Sequence, residues 1–493
     1  MPTAWHIPRL LVSAARGGAG KTLLTLGLAR VLADAGVRVR PCKKGPDYID
    51  AAWLALAGRA PCTNLDPFFL GPERLRALAQ HVWRRPVAHG PCAPGAGEPG
   101  GLLLIEGNRG LFDGRDVHGS CSSAELAKTL GCPVLLSLDV TKATRTAAAL
   151  VHGLNSFDPA LRLAGVVLNQ CASPRHEGIV RQSIEHHTDV PVLGALPRLA
   201  HNPLPERHMG LVACVGAPGG DTPPPEAEAA LAAIARQVRE HVDIPAVLAV
   251  AEAAPDMPAE PEFWEGAPAA HPGPRPRIGY VYDAALWFYY PENLEALQRA
   301  GAELLRLSLL DTTPWPDGLH GLYLGGGFPE EWGDTLAASP HMARIRSLAA
   351  AGMPIYAECG GFMLLAQCLR RDASRYPMCG VLPVEVRFTP KPQGLGYVQA
   401  RVVAPNPYHP QGASLRGHEF HYSRCEAASG ALECCALALD TGTGMGANSA
   451  GHRVDGLVHG RVFASYTHIY APAVPHWAAN LVRAARDYIR EQA

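Results

Sequence analysis

The 493-residue sequence has no excess of either charge: 44 Lys and Arg stand against 45 Asp and Glu, a net charge of −1. A surface that neutralises nucleic-acid phosphates or anionic lipid needs a basic excess, so neither partner is expected. No apolar run approaches the ~20 residues that cross a bilayer. The 13 cysteines are odd in number and form no C-x-x-C pair. That pattern argues against a zinc ribbon or a disulfide framework and for free thiols in a reducing compartment. The opening stretch, MPTAWHIPRLLVSAARGG, has too short an apolar run for a signal peptide. The expected location is the cytoplasm. What remains is a globular composition, 47% hydrophobic and 18% charged, long enough for two domains.

The chain is rich in glycine, and one cluster of it stands beside a lysine. Leu10–Thr22, LLVSAARGGAGKT, carries a short apolar run into a glycine-rich turn, and a helical pattern follows from Leu23 to Ala35. Strand, loop and helix in that order make a phosphate cradle. The backbone of Gly17, Gly18 and Gly20 can approach phosphate oxygens at the helix N-terminus. Lys21 is expected to reach the β- and γ-phosphates of ATP, and Thr22 to ligate Mg²⁺. The usual first glycine of this pattern is Ala15 here. RGGAGKT resembles the variant loop of the ParA and dethiobiotin synthetase branch, with Arg16 where many carry a second lysine.

VRVRPCKKGPDYID (Val37–Asp50) begins as a strand and turns at Gly45-Pro46. Asp47 follows that turn, placed for metal or substrate at a strand's carboxyl end. The alternative is a cap for a helix beginning near Ala51. Pro86–Gly100 reads as a loop. Leu102–Ile105 is a buried strand ending in Glu106, where Mg²⁺ beside a phosphate loop needs a carboxylate. Asp113 lies in the loop after it. Apolar runs at Pro133–Val140, Leu163–Asn169 and Val190–Arg198 alternate with helical patterns at Thr141–Leu154 and His176–His187. Such alternation predicts a doubly wound parallel sheet. A Gly/Pro-rich stretch, Pro218–Pro225, precedes a helix over Glu226–Val242. Proline recurrence marks 253–276 as a linker, which divides the chain into domains at 1–252 and 277–493.

The second domain repeats the α/β pattern. Strands are expected at Ile278–Asp283, Ala302–Leu307 and Gly321–Leu324, with a helix at Pro291–Ala300. Met353–Leu369, MPIYAECGGFMLLAQCL, reads as strand, tight turn and helix with Cys359 in the turn. Such an elbow exposes a nucleophile where backbone N–H groups favour thiolate and oxyanion. The glycine triplet ending in Gly326 and Gly327 would supply oxyanion donors. The base is one of seven histidines: His409, His418, His421, His452, His459, His468 or His476. His468 lies just past a strand at Arg461–Tyr466, and GHEFHYS (Gly417–Ser423) is the other histidine-rich candidate. Its H-E-F-H spacing is one residue short of the zinc pattern H-E-x-x-H.

RGGAGKT, KKGPDYID, LIEGNRGLFDG, LYLGGGFPE, YAECGGFMLL, GHEFHYS and VFASYTHIY, in this order, resemble the cobyrinic acid a,c-diamide synthase family over nearly the whole chain. The resemblance implies two α/β domains: a P-loop NTPase-like ATP domain of dethiobiotin synthetase type and a class I glutamine amidotransferase domain. It implies amidation of acetate carboxylates on a tetrapyrrole polycarboxylate, with glutamine as nitrogen donor and ATP with Mg²⁺. It makes Cys359 the glutaminase nucleophile and His468 its base. Asp47 and Glu106 become acidic metal ligands, and Asp47, Tyr48 and Asp113 line the reacting carboxylate's site. Many class I amidotransferases carry Glu two residues after the histidine. This chain has Tyr470 there, which leaves the orienting group open, with Glu419 one candidate. Ammonia is expected to pass between sites out of bulk water, across facing domains or the subunits of a homodimer. RGGAGKT, CKKGPDYIDAAWLALAG and IEGNRGLFDG also resemble relatives encoded with dissimilatory sulfite reductase. That implies siroheme or its precursor as the alternative to cobyrinate or hydrogenobyrinate. A ParA-like sorting ATPase would account for the amino half only.

Overall fold

The computed structural model describes residues 3–86, 100–199, 201–204, 206–207, 210–211, 223–266, 274–427 and 430–492. The expected loop at Pro86–Gly100 and the Gly/Pro-rich stretch at Pro218–Pro225 lie mostly outside them, as do residues 267–273 of the expected linker. The described residues form two compact units, one up to Glu265 and one from Gly266.

In the first unit seven strands pair in parallel: β1 (Arg9–Ala14), β2 (Arg38–Lys44), β3 (Thr63–Leu65), β4 (Gly101–Glu106), β5 (Val134–Asp139), β6 (Leu163–Cys171) and β7 (Val192–Pro197). Their spatial order is β3-β2-β4-β1-β5-β6-β7. Continuous apolar runs form the central strands because helices cover both faces of a parallel sheet. Every residue of β1, β4 and α1's Leu24–Ala29 run is buried. α1 (Lys21–Asp34) follows β1, so the glycine loop stands at the carboxyl edge in mid-sheet. The helix expected from Thr141 starts only at Arg145. The Asp139 carboxylate accepts the Thr141 N–H at 2.9 Å, and Lys142 takes φ 56°, a left-handed turn that a helix cannot include.

The stretch read as a linker is docked at its start. Met257–Pro258 pairs antiparallel with Ala4–Trp5. Gln80 bonds Pro258 O (2.6 Å) and Glu260 N (3.1 Å), and Arg74 bonds Phe263 O (2.6 Å). Proline recurrence hid these anchors, because the large buried apolar residues among them, Met257 and Phe263, stand singly in a stretch rich in prolines and acids.

The second unit holds a larger sheet. β8 (Arg277–Val281), β9 (Glu303–Leu307), β10 (Gly321–Leu324), β11 (Ile355–Glu358) and, later in the chain, β16 (Val462–Ser465) pair in parallel in the order β9-β8-β10-β11-β16. Beyond β16 the ladder turns antiparallel. It runs through β15 (Arg453–His459), β14 (Cys435–Thr441), β12 (Gly394–Val402), β13 (Ser414–His421) and β17 (His468–Ile469). The sequence reading anticipated the parallel half. The antiparallel half is joined by hairpins, where consecutive strands need no intervening helix. The helix expected through Leu369 stops at Leu365, and Cys368–Arg371 becomes a strand. Its last carbonyls are taken by the returning chain: Cys379 N–H bonds Leu364 O, and Val381 and Leu382 N–H bond Leu365 O, each at 2.9 Å.

Arg9 ties the docked segment to the first sheet. Its buried guanidinium donates to Leu130 O (2.6 Å), Ile7 O (2.8 Å) and Pro255 O (2.6 Å). A buried carbonyl left unpaired costs about 1–3 kcal/mol. Arg9→Met is therefore expected to destabilise the first unit by about 3 kcal/mol, seen as a lower urea midpoint with faster amide exchange at Trp5 and Met257. A wild-type midpoint and exchange pattern would show that the segment is held by other contacts.

Candidate active sites

The glycine loop closes on α1 through Gly20, which caps the helix at φ 85°. A Cβ there would lie 2.0 Å from Asn169 Nδ2, so only glycine fits. Asn169, at the end of β6, donates to Ala19 O at 3.2 Å and holds the loop from below. A cavity of 540 Å³ lies against the loop, lined by Gly18, Lys21, Thr22, Asn169 and Arg198 among others. Space is open around Gly17 and Gly18. Arg16 is 71% exposed and pairs with Asp139 at 2.8 Å.

Behind the loop, strand ends bring charges together. Thr22 donates its hydroxyl to Glu106 Oε1 at 2.7 Å. Lys43, at the end of β2, is buried with Nζ 3.0 Å from Glu106 Oε1, 2.6 Å from Asp50 Oδ2 and 3.8 Å from Asp47 Oδ2. Burial lowers the Lys43 pKa, but Asp50, Glu106 and Asp47 outweigh it and hold the ammonium well above its ordinary value. Lys21 moves the other way. Burial lowers its pKa, and the charge of Lys43 adds to that against the pull of Glu106. Burial, with Asp50 nearby, raises the Glu106 carboxyl, against the pull of Lys43. Asp47 is pushed up to about 7 by burial and by Asp50. Its Oδ1 also accepts Asp50 N at 2.9 Å in the first turn of α2 (Ile49–Gly58), whose N-cap position is Tyr48. Tyr48 is buried at the foot of that helix. Asp113 accepts Gly110 N at 2.8 Å and acts on the Lys21 charge.

These groups suit Mg²⁺. Glu106 Oε2 is buried and has no hydrogen-bond partner among the described residues. No cluster of three or more His, Cys, Asp or Glu able to hold a metal occurs among the described residues. Mg²⁺ bound with a nucleotide needs no such cage, only one or two protein oxygens beside the phosphates.

In the second unit Cys359 follows β11 at φ 47°, ψ −101°, a conformation that non-glycine residues rarely adopt and that marks functional turns. Its N–H is held by Ser465 O at 2.7 Å, and its Sγ lies 3.6 Å from Phe420 O. Burial, then the nearby Glu330, pushes the thiol well above its ordinary value. Gly327 adjoins the elbow: a Cβ on Gly360 would lie 2.9 Å from Gly327 N. Gly326 adjoins the histidine: a Cβ there would lie 2.4 Å from His468 Cε1. His468 is fully buried on β17 and pairs across the ladder with His418, their rings stacked at 4.8 Å. Burial and the His468 ring drive His418 well below its ordinary pKa. Glu358 Oε2 lies 3.5 Å from His468 Nδ1.

Known families match both halves of the chain. A CobQ/CobB/MinD/ParA nucleotide binding domain matches residues 10–212, and a CobB/CobQ-like glutamine amidotransferase domain matches residues 277–474. The cobyrinate a,c-diamide synthase of Magnetococcus marinus is 40% identical over 491 residues, covering 98% of each chain. The chain belongs to the cobyrinate a,c-diamide synthase family. Its enzymes are ATP-dependent glutamine amidotransferase ligases. The cobyrinate a,c-diamide synthase of Syntrophotalea carbinolica is 38% identical, covering 98% of this chain and 99% of its own. The hydrogenobyrinate a,c-diamide synthase of Streptomyces coelicolor is 35% identical, covering 97% of this chain and 98% of its own.

Within this family frame the structure gathers Lys21, Thr22, Asp47 and Glu106 around one charge cluster, and His468, Gly326 and Gly327 around the Cys359 elbow. Glu419 is not beside His468: it accepts Thr443 N (2.6 Å) and Gly444 N (2.9 Å) and lies 3.5 Å from His421 Nε2. Alternation along β13 turns neighbouring residues to opposite faces, so Glu419 and His418 point apart. Sequence reasoning passed over Lys43, Asp50 and Asn169. Lys43 and Asp50 flank Asp47 in KKGPDYID, and a lysine ending a buried parallel strand was the available signal.

Asp47 gives a pH test. Its carboxyl titrates near 7 in the fold against about 4 in an unfolded chain. A raised carboxyl stabilises the fold while protonated, and that contribution is lost as pH rises from about 4 through 7. Asp47→Asn keeps an acceptor for Asp50 N. Without nucleotide, its gain in unfolding midpoint over wild type is expected to widen from pH 4 to 7 and to level off above. A gap that stays constant across this range would mean that Asp47 ionises normally in the fold.

Proposed function

We propose that this ligase amidates the a and c acetate side chains of a corrin-type polycarboxylate such as cobyrinic or hydrogenobyrinic acid. The observation that carries the reading is the presence, in one chain, of a phosphate loop beside acidic strand ends and of a strained cysteine elbow beside a buried histidine. The names of the full-length relatives support the substrate class.

A carboxylate in water does not react with ammonia, because hydroxide is a poor leaving group. Transfer of the γ-phosphoryl group of ATP to the substrate carboxylate gives an acyl phosphate and ADP. That step needs positioning and charge neutralisation more than covalent help. The Gly17–Gly20 backbone cradles the phosphates and Lys21 meets their charge. Thr22 and Glu106, with Asp47 at the edge, are the residues that would hold Mg²⁺, and the ion supplies further neutralisation of the phosphates. Tyr48 and Asp113 border the substrate carboxylate. In the second unit Cys359 Sγ attacks the side-chain amide of glutamine. Burial keeps the resting thiol protonated, so its proton passes to His468 in that step. Gly326 and Gly327 face the oxyanion. Collapse to the thioester breaks the C–N bond, and His468 returns the proton to the leaving nitrogen as ammonia. Water then frees glutamate. Ammonia displaces phosphate from the acyl phosphate to leave the amide.

Mass spectrometry of reactions with ATP, Mg²⁺ and glutamine tests the substrate. Cobyrinic and hydrogenobyrinic acids are each expected to gain two amides. Amide product with siroheme or its metal-free precursor alone would reassign the substrate, and ATP hydrolysis with no product in any arm would favour a sorting ATPase. The two half-reactions separate by mutation. Cys359→Ala is expected to abolish glutamine-driven amidation while keeping the ammonia-driven reaction within about twofold, whereas Lys21→Ala should lower both at least ~100-fold. Loss of ammonia-driven activity in folded Cys359→Ala protein would break this division of labour.

A further inference from the structure

We infer that Glu358 is the carboxylate that orients His468, taking the place of an acid beyond the histidine, where this chain has Tyr470. Glu358 ends β11, directly before the nucleophile, and is fully buried. Its Oε2 is 3.5 Å from His468 Nδ1, within ion-pair distance of the ring. The carboxylate is itself fixed. Oε1 accepts the Ile469 N–H at 3.1 Å, and Oε2 accepts the Tyr323 hydroxyl at 3.1 Å. Asn293 completes the clamp. Its Nδ2 donates to Tyr323 Oη (3.1 Å) and Ile469 O (3.0 Å), while its Oδ1 accepts Ala471 N (2.7 Å). The Ile469 N–H, next to the histidine, is thereby tied to the end of β11, and its carbonyl to Asn293, which reaches Glu358 through Tyr323.

Among the described residues, His418, Phe288, Gly326, Tyr290, Tyr470 and Glu419 do not compete for this role. His418 from β13 stacks on it and is kept neutral by burial. Phe288 and Gly326 bring only carbon and backbone against it. Tyr290 engages His418 Nδ1 at 3.4 Å, and Tyr470 packs edge-on against Tyr290. Glu419 is turned to His421.

A carboxylate on Nδ1 holds the proton there and leaves Nε2 as acceptor for the thiol. When Cys359 Sγ bonds to the amide carbon and its proton moves to Nε2, the imidazolium gains the Glu358 charge as partner. The proton then leaves with the amine, and Glu358 does not itself change protonation. Glu358 acts through His468 and is a positioning residue. The one-residue spacing couples the two roles: a shift of the β11 end that moved Cys359 would move the carboxylate that aims its base.

This assignment rests on the glutaminase reading above, and the full-length enzyme tests both. Glu358→Gln is expected to lower kcat of glutamine hydrolysis by about 100-fold with KM within about twofold. Ammonia-driven amidation should stay within about twofold of wild type. Glu358→Asp keeps the charge at shorter reach, so its kcat should lie between wild type and Gln with KM again unchanged. Wild-type kcat in Glu358→Gln, a loss carried by KM instead of kcat, or equal kcat in the Gln and Asp variants would overturn the assignment. If the Gln variant does not fold, the Asp variant decides alone, and wild-type kcat in it rejects the role. Full glutamine hydrolysis in Cys359→Ala would instead reject the glutaminase reading itself.

Discussion

Three carboxylates share one buried ammonium, and the first unit is arranged around that imbalance. Lys43 sits among Asp47, Asp50 and Glu106, with Lys21 close enough to feel both the acids and the second cation. Burying charges is expensive, and an ion pair in an interior is weak evidence for stability. Here burial raises Asp47 and Glu106, and the neighbouring acids add to it, although Lys43 lowers both. A stable core would not be built this way. A site that must receive further cations would be, because each one that enters relieves the repulsion. The parallel sheet makes the crowding inevitable. β2 and β4 are neighbours, and residues at their carboxyl ends, Lys43 and Glu106, are register partners.

The second unit solves a different problem with the same edge. The parallel half of its sheet supplies Cys359, the glycine loop and Glu358, and the antiparallel half supplies His418 and Phe420. The halves meet where β16 pairs with β11 on one side and β15 on the other, so Ser465 holds the Cys359 N–H while the next turn carries His468. That turn is fixed by Asp455, whose carboxylate accepts Tyr466 N (3.0 Å), Thr467 N (2.9 Å) and Thr467 Oγ1 (2.6 Å). The strained elbow is paid for by this surrounding structure, which leaves the cysteine no relaxed alternative.

Local chemistry was legible in the sequence and partnership was not. RGGAGKT fixed the loop, and Thr22 and Glu106 do meet, because a glycine loop and an acidic strand end have one place each in a parallel sheet. Cys359 was legible because a cysteine between a buried strand and two glycines has few structural uses. Glu358, adjacent in the chain, marked the same elbow, but its own partner was not legible, since nothing local tells which of two distant strands its side chain will face. Glu419 stood as one candidate for the open role of orienting His468, yet it follows His418 on β13, and one step along a strand reverses a side chain. The start of the linker failed for a compositional reason. Proline signals extended chain, and an extended chain with a Met257 and a Phe263 to bury can dock as readily as it can dangle.

Burial of Cys359 bears on how the two chemistries are kept in step. A nucleophile held as thiolate would react with glutamine or oxidant whenever either arrived. In this site burial, reinforced by Glu330, keeps the proton on sulfur. The proton can leave only for a neighbouring base, and His468 is wedged between Gly326, which admits no side chain, and the His418 ring. Anything that alters the fit of the glycine loop therefore alters the base. On the proposed reaction the same loop faces the oxyanion of the attacked amide, so substrate engagement and proton acceptance are set by one piece of backbone. Release of ammonia then depends on geometry assembled around bound glutamine, not on a reactive sulfur waiting in the empty site.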